Sequence, residues 1–403
     1  MHTINVASYR LSRECHGPLC VAISAAEDRS SPMQVAVDAR IAFYNRSGIR
    51  RYLDGLLGAF RDLQGLSAEI TLLKSWRDNR QSSVDLWPLS RSLFTPPHHR
   101  FEKFLLDWEL RGSSYDLLHC MDFFTPTSAV PLLLTVHDLY FIKDPASVDA
   151  NSRKHYSQLN EMLPQAKHVV CISQSTKNDL LELGGISPEN ISVIYPGYSK
   201  FSVAIDENAS LPKSRPTYEF GEITLAVGTL EPRKNYEKMI QAYVASHRHL
   251  KNRLAPLVIV GRKGYLGEKV LGLIEEASKA APIKYLGEAN EAELSSLYSR
   301  ASTLLYASKY EGFGFPMLEA MASRTCIITS DNSAMAEVAA DSAFLVDADR
   351  EESITEAIIA SVENPGLREE KISLGATRLK EFSWAKAAQE HNRLYQKLDP
   401  RSF

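Results

Sequence analysis

The sequence is short of the features that would mark a metalloprotein, a secreted scaffold or a membrane span. Five cysteines, Cys15, Cys20, Cys120, Cys171 and Cys326, form no CxxC pair among 403 residues. Cys171 and Cys326 sit in apolar, strand-like runs, so they read as buried thiols in a reducing compartment. No group of His, Cys or carboxylate residues has metal-ligand spacing, so no divalent metal and no cofactor are expected. No apolar run approaches the roughly 18 residues that span a bilayer, and the first residues lack the apolar core of a signal peptide. The expectation is a cytoplasmic protein, with peripheral membrane contact left open. An excess of basic charge is also missing: Lys and Arg number 21 against 21 acidic residues over positions 1–200 and 25 against 28 over the rest, for a net charge of -3. That balance argues against a nucleic-acid partner.

What is present is a repeated alternation. Short apolar strands alternate with helical patterns in both halves. The first series is "QVAVDA", "AEITLL", "DLLHCM", "PLLLTVHD", "HVVCIS" and "NISVIYPG"; the second is "ITLAVGTL", "APLVIVG", "IKYLG", "STLLYAS", "TCIITS" and "SAFLVD". Runs apolar on both faces and separated by helices describe parallel βαβ sheets. Residues 198–222 carry scattered prolines and polar residues without periodicity, which reads as a linker. The predicted organisation is an extension over 1–33, a Rossmann-like doubly wound domain over 34–200, a linker at 201–220, a second Rossmann-like domain over 221–380, and a helix over 381–403 packing back toward the first domain. Ser383 is available to cap that helix. Two doubly wound α/β domains facing each other leave a cleft lined by the C-terminal ends of both sets of strands.

Two clusters in the second half carry chemistry. In "YEGFGFPMLEAMA", Pro316 suits the first helical position and Glu319 the first turn, while Gly312 and Gly314 let backbone amides approach an anion. A carboxylate there can accept hydrogen bonds from two vicinal hydroxyls. A glycine-rich turn with a helix-dipole glutamate explains the stretch equally well on spacing alone. In "ITLAVGTLEPRKNYEKMIQAY", a strand runs through Gly228 into Arg233 and Lys234, with Asn235 as a plausible cap. Adjacent cations at a strand end face the place a diphosphate would take.

Strand-GxxxxRKN followed about eighty residues later by EGFGFPxxEA resembles the retaining glycosyltransferases of family 4, which have the glycosyltransferase-B fold. The resemblance runs from about Val35 through "LVIVGRKG", "IKYLGEANEAELSSLYSRASTLLYAS" and the final helix that opens on "FSW". It implies that Glu319 holds the ribose of the donor nucleotide and that Glu311 contacts the donor sugar. The amides of Gly312, Phe313, Gly314 and Phe315 would hold sugar hydroxyls, with neighbouring amides up to Leu318 near the diphosphate. Arg233 and Lys234 would neutralise the leaving diphosphate, stabilising the charge that develops as the glycosidic bond breaks. Arg324, Cys326, Ala336 and Ala340 depart from the family's usual residues at turns; Glu337 is kept, which places its loop near the nucleotide.

In the first half, His137 of "PLLLTVHDLYFIKDP" stands at a strand end and matches the family's active-site histidine, close to the donor sugar. A structural His beside an Asp is the plain alternative. In "FYNRSGIRRYLDGLL", Gly48 and Arg51 match the family's glycine loop, which approaches diphosphate and acceptor; Ser47 and Arg50 replace two of its glycines. "DAD" at Asp347, Ala348 and Asp349 precedes a helical pattern and reads as a helix cap rather than a metal site. Residues 91–111, "RSLFTPPHHRFEKFLLDWELR", combine Phe94, Phe101, Phe104, Leu105 and Trp108 with Arg91, His98, His99, Arg100 and Lys103. They would rest on an anionic membrane or pack on the core.

The resemblance therefore predicts a retaining, metal-independent transfer of a hexose from a nucleoside diphosphate sugar to a hydroxyl of a glycan or lipid-linked glycan. The catalytic set would be His137, Arg233, Lys234 and Glu311. "VGTLEPRKN" with "TVHDLYF" leans toward the bacterial mannosyltransferase-like branch and GDP-mannose. A UDP-sugar enzyme, a nucleotide-sugar epimerase of the same fold and a non-catalytic sugar-binding protein are the rivals.

Overall fold

A computed structural model describes residues 31–43, 48–76, 87–97, 99, 101–121, 130–145, 148, 156–199 and 221–402. Most of the expected extension, the linker at 201–220, Ser47, His98 and Arg100 lie outside the described residues. Thirteen described strands form two sheets. The first holds β1 (Met33–Asp38), β2 (Ala68–Ser75), β3 (Ser90–Leu93), β4 (Leu117–Cys120), β5 (Leu132–Val136), β6 (Ala166–Cys171) and β7 (Ile191–Val193). The second holds β8 (Ile223–Val227), β9 (Leu257–Val260), β10 (Ile283–Tyr285), β11 (Ala301–Tyr306), β12 (Cys326–Ser330) and β13 (Phe344–Val346).

Their orders are β3-β2-β1-β4-β5-β6-β7 and β10-β9-β8-β11-β12-β13, parallel in every named pair. Twelve of the strands fall on the apolar runs read from the sequence. The exception is β3, "SRSL", an edge strand with only Leu93 buried, which needs no apolar run because one side faces solvent.

Successive strand residues point to opposite faces, and the cores follow that period. Val35, Val37 and Leu72 join one apolar cluster, whereas Ala36, Leu73 and Leu118 join another on the opposite face of the first sheet. The first of these clusters continues into Leu225, Val258 and Leu304 of the second sheet and into Trp384, Leu394 and Tyr395 of the last helix. From Pro32 to Phe403 the chain is accordingly one contact unit.

That last helix, Trp384–Leu398, starts on Ser383, whose hydroxyl accepts from the Lys386 amide, and crosses to the first sheet's side. A Cβ on Gly55 would lie 2.1 Å from the Trp384 ring, and one on Gly197 2.1 Å from the Trp384 nitrogen, so both glycines are required by close approach. Farther along, Tyr395 Oη lies 2.8 Å from His119 Nδ1, and His391 Nε2 lies 3.1 Å from Tyr52 Oη. Burial pushes His391 down to about 4 and His119 well below the usual histidine range, so this buried cluster is neutral.

Candidate active site

Each sheet reverses its strand order once, between β1 and β4 and between β8 and β11. Loops leaving the C-terminal ends of such a pair diverge and open a crevice. In the second sheet those two loops carry Arg233 and Lys234 after β8, and Glu311 after β11. The topology thereby joins residues almost eighty positions apart.

The contacts are close. Glu311 Oε1 accepts from Lys234 Nζ at 2.5 Å and Oε2 from an Arg233 guanidinium nitrogen at 2.8 Å. Arg233 Nε donates to Glu231 at 2.7 Å, and Lys234 also reaches Tyr306 Oη at 3.2 Å. Gly228, at φ +151°, leaves room for the Lys234 stem, since a Cβ there would come within 3.2 Å of it. Lys234 and Glu311 are buried at 8% and 6% exposure. Burial alone would push the Glu311 carboxyl up, but Lys234 and Arg233 more than offset it and hold the group at about 2. Burial pulls Lys234 down, with Glu311 opposing. The cluster is a carboxylate clamped between two cations, beside Asp138, whose carboxyl burial raises and Arg233 lowers.

The glycine loop continues into the helix Phe315–Ala322. Its cap is Gly314 at φ +97°, so Pro316 takes the second helical position and Glu319 the fifth, each one residue later than the sequence suggested. Among the described residues, no protein acceptor takes the amides of Gly312, Phe313 or Gly314. The side chains of Phe313 and Leu318 are buried in the core, so those two residues offer only backbone to the crevice. Gly312 has a second reason to be glycine: a Cβ there would lie 1.8 Å from the carbonyl oxygen of His137. It is one of the points where the two halves touch.

Glu319, 4% exposed, forms an ion pair with Arg51 of the helix Gly48–Asp62. Its Oε2 is buried with no hydrogen-bond partner among the described residues. The Arg51 guanidinium lies 5.8 Å above the Phe315 ring, and that ring packs 3.9 Å from where a Gly48 Cβ would stand. Arg51 of the first half thus meets Glu319 of the second. His137 Nε2 lies 3.1 Å from the Met121 carbonyl, and its ring meets Tyr52 edge to face at 5.0 Å.

Glu337 accepts from the amides of Gln174 and Ser175 at 2.7 and 2.8 Å, capping the helix Gln174–Leu183 of the other half. Two further readings change. Asn235 stands at a helix start in a left-handed conformation, but its amide instead donates to the carbonyls of Ala307 and Ala348. Asp347 caps its own turn through the Asp349 amide, and the following helix starts on Arg350. Among the described residues no group of three or more His, Cys, Asp or Glu is placed to hold a metal. The sequence reading missed Asp138, Tyr306 and the cross-half bond from Tyr310 Oη to Asp179 at 2.6 Å; the apolar residues around Tyr306 and Tyr310 mask them as core.

The sequence matches the family described as Glycosyl transferases group 1 over residues 208–377 and Glycosyltransferase Family 4 over 48–199. The chain belongs to glycosyltransferase family 4. Its relatives include O-antigen chain mannosyltransferase B of Escherichia coli, 28% identical over 69% of this chain and 73% of that protein. O-antigen chain mannosyltransferase RfbU of Salmonella typhimurium is 30% identical over 58% of this chain and 63% of that protein. Among solved structures, sucrose-phosphate synthase from Thermosynechococcus elongatus superposes with a TM-score of 0.70 at 18% identity, covering 91% of this chain and 99% of that one. The glycosyltransferase therefore has the glycosyltransferase-B fold, two Rossmann-like sheets either side of a crevice, and sits in the mannosyltransferase-like bacterial branch. Among the described residues it has no helix long and apolar enough to cross a membrane.

Proposed function

We propose that the protein transfers mannose from GDP-mannose, with retention of anomeric configuration and without a divalent metal, to a hydroxyl of a glycan or lipid-linked glycan in surface polysaccharide synthesis. The observation that carries this reading is the clamp of Glu311 between Arg233 and Lys234, beside three unclaimed loop amides. A donor diphosphate is attracted to the same cations and would take them from Glu311. Freed of them, the carboxylate is available to a hydroxyl of the donor sugar. As the glycosidic bond breaks, charge collects on the leaving diphosphate, and preorganised cations favour that state over the ground state. Glu319 would accept from the ribose, and His137, its Nε2 tied to Met121, would face the sugar from the other half. The mannosyltransferase names of the two relatives support the choice of sugar.

Peripheral membrane contact has its own support. Phe94, Phe104 and Trp108 are 75%, 71% and 71% exposed, and Phe101 and Leu105 are exposed too. The core side of the helix Glu102–Leu110 is Leu106 and Leu110, so the aromatic face is a second apolar face and does not pack on the core. A lipid-linked acceptor would be met at that surface.

The test is transfer of labelled mannose from GDP-mannose to a lipid-linked glycan with and without EDTA. Product with the α configuration, formed equally in both, is expected. Activity restored only by Mn²⁺ or Mg²⁺, or transfer from UDP-sugars alone, would contradict the reading.

A further inference from the structure

We infer that Arg51 is a positioning residue for Glu319, reaching across from the first half so that the ribose-binding carboxylate is complete only when the halves are closed. The inference rests on the nucleotide-sugar reading above and adds to it how the nucleotide and closure are linked.

Glu319 presents two oxygens of different standing. Oε1 is paired with Arg51, while Oε2 is buried and has no hydrogen-bond partner among the described residues. A buried acceptor left unmet costs about 1–3 kcal/mol, and a ribose hydroxyl is a donor of the right kind to meet it. Accepting from a vicinal diol requires the carboxylate form, yet burial disfavours charge. Glu319 has its carboxyl raised by burial, with Arg51 and Tyr298 opposing and Glu291 adding to the rise. Tyr198 is a further titratable group close enough to feel Glu319. Arg51 is the cation among these groups.

It also comes from the other half. Arg51 stands on the helix Gly48–Asp62, which packs with the first sheet, and Glu319 on the helix Phe315–Ala322 of the second. The guanidinium is steered by the Phe315 face below it, and Gly48 lets that ring approach. When the halves separate, Glu319 loses its counter-ion and its ability to hold a diol. A nucleotide with a ribose therefore binds the closed arrangement better than the open one, and its binding shifts the population toward closure.

The experiment measures Kd for GDP, UDP and inorganic pyrophosphate on wild-type protein and on Arg51→Gln and Arg51→Lys, from about pH 6 to about pH 9. Arg51→Gln should weaken nucleotide binding on the order of tenfold at the acid end, with the ratio to wild type shrinking as pH rises, because the uncompensated Glu319 ionises only at higher pH. Arg51→Lys keeps the charge and should bring the ratio back toward one. Pyrophosphate, which lacks ribose, should bind all three proteins alike and reports that the variants are folded. A ratio independent of pH, a Lys variant as impaired as the Gln variant, or an equal loss of pyrophosphate affinity would overturn the inference, the last by placing Arg51 on the diphosphate. Wild-type protein that binds neither nucleotide contradicts the donor reading itself, which separates the two failures.

Discussion

At the scale of residues, the two glutamates of one short stretch have opposite surroundings. Glu311 is held ionised by two cations and stays so down to about pH 2. A carboxyl lowered in this way contributes stability that is fully present above its unfolded value and lost as pH falls through the folded one, here between about 4.5 and about 2. Loss of activity on mild acidification therefore has to come from another group. Lys234→Ala should slow transfer on the order of 100-fold by removing one preorganised donor to the leaving diphosphate. It leaves Arg233 on Glu311, so the fold should persist; near-normal turnover in a steady-state assay would remove Lys234 from the mechanism. The clamp residues were legible in the sequence because motif order named them. The pairing of Arg51 with Glu319, 268 positions apart, was not, since no local pattern encodes a contact between two halves. Gly312 shows the same limit: in sequence it is a loop glycine suited to an anion, and only the fold reveals the carbonyl of His137 against it.

At the scale of elements, the strands were readable because parallel strands buried on both faces must be apolar throughout. β3 escaped because an edge strand need not be; Asn235 was misassigned as a cap because its side chain reaches the carbonyls of distant loops, and Asp347 because its side chain closes the turn before the helix. The helix Glu102–Leu110 is the element with most left over. A buried ion pair from its Glu102 to Arg40, at 2.9 Å, anchors it beside the end of β1. The Glu109 carboxylate accepts from the amides of Phe94 and Thr95, which ties the backbone that carries the exposed Phe94 to this helix. Replacing Phe104 and Trp108 together by serine should reduce cosedimentation with vesicles containing anionic phospholipid by about tenfold, with nucleotide binding unchanged, because these side chains stand clear of the core. Unaltered cosedimentation would assign the aromatic face some other purpose.

At the scale of the whole molecule, the two sheets are joined by more than a crevice. The helix Trp384–Leu398 follows the second sheet in sequence yet buries Trp384 on Gly55 and Gly197 and hydrogen-bonds His119 and Tyr52 of the first half. Glu337, Tyr310 and Glu319 each reach a partner in the first half as well. Two of these three residues lie within the stretch from Tyr310 to Glu319, so one loop and helix both face the donor crevice and hold the halves together. Ligand binding there and closure are thereby physically linked. The measurement that tests this account most directly is calorimetric titration of wild-type and Glu319→Ala protein with GDP, UDP and ADP in the presence of EDTA. The account predicts saturable binding with a preference for GDP that is largely lost in the variant. Absence of nucleoside diphosphate binding in wild type, or affinity untouched by Glu319→Ala, would contradict it.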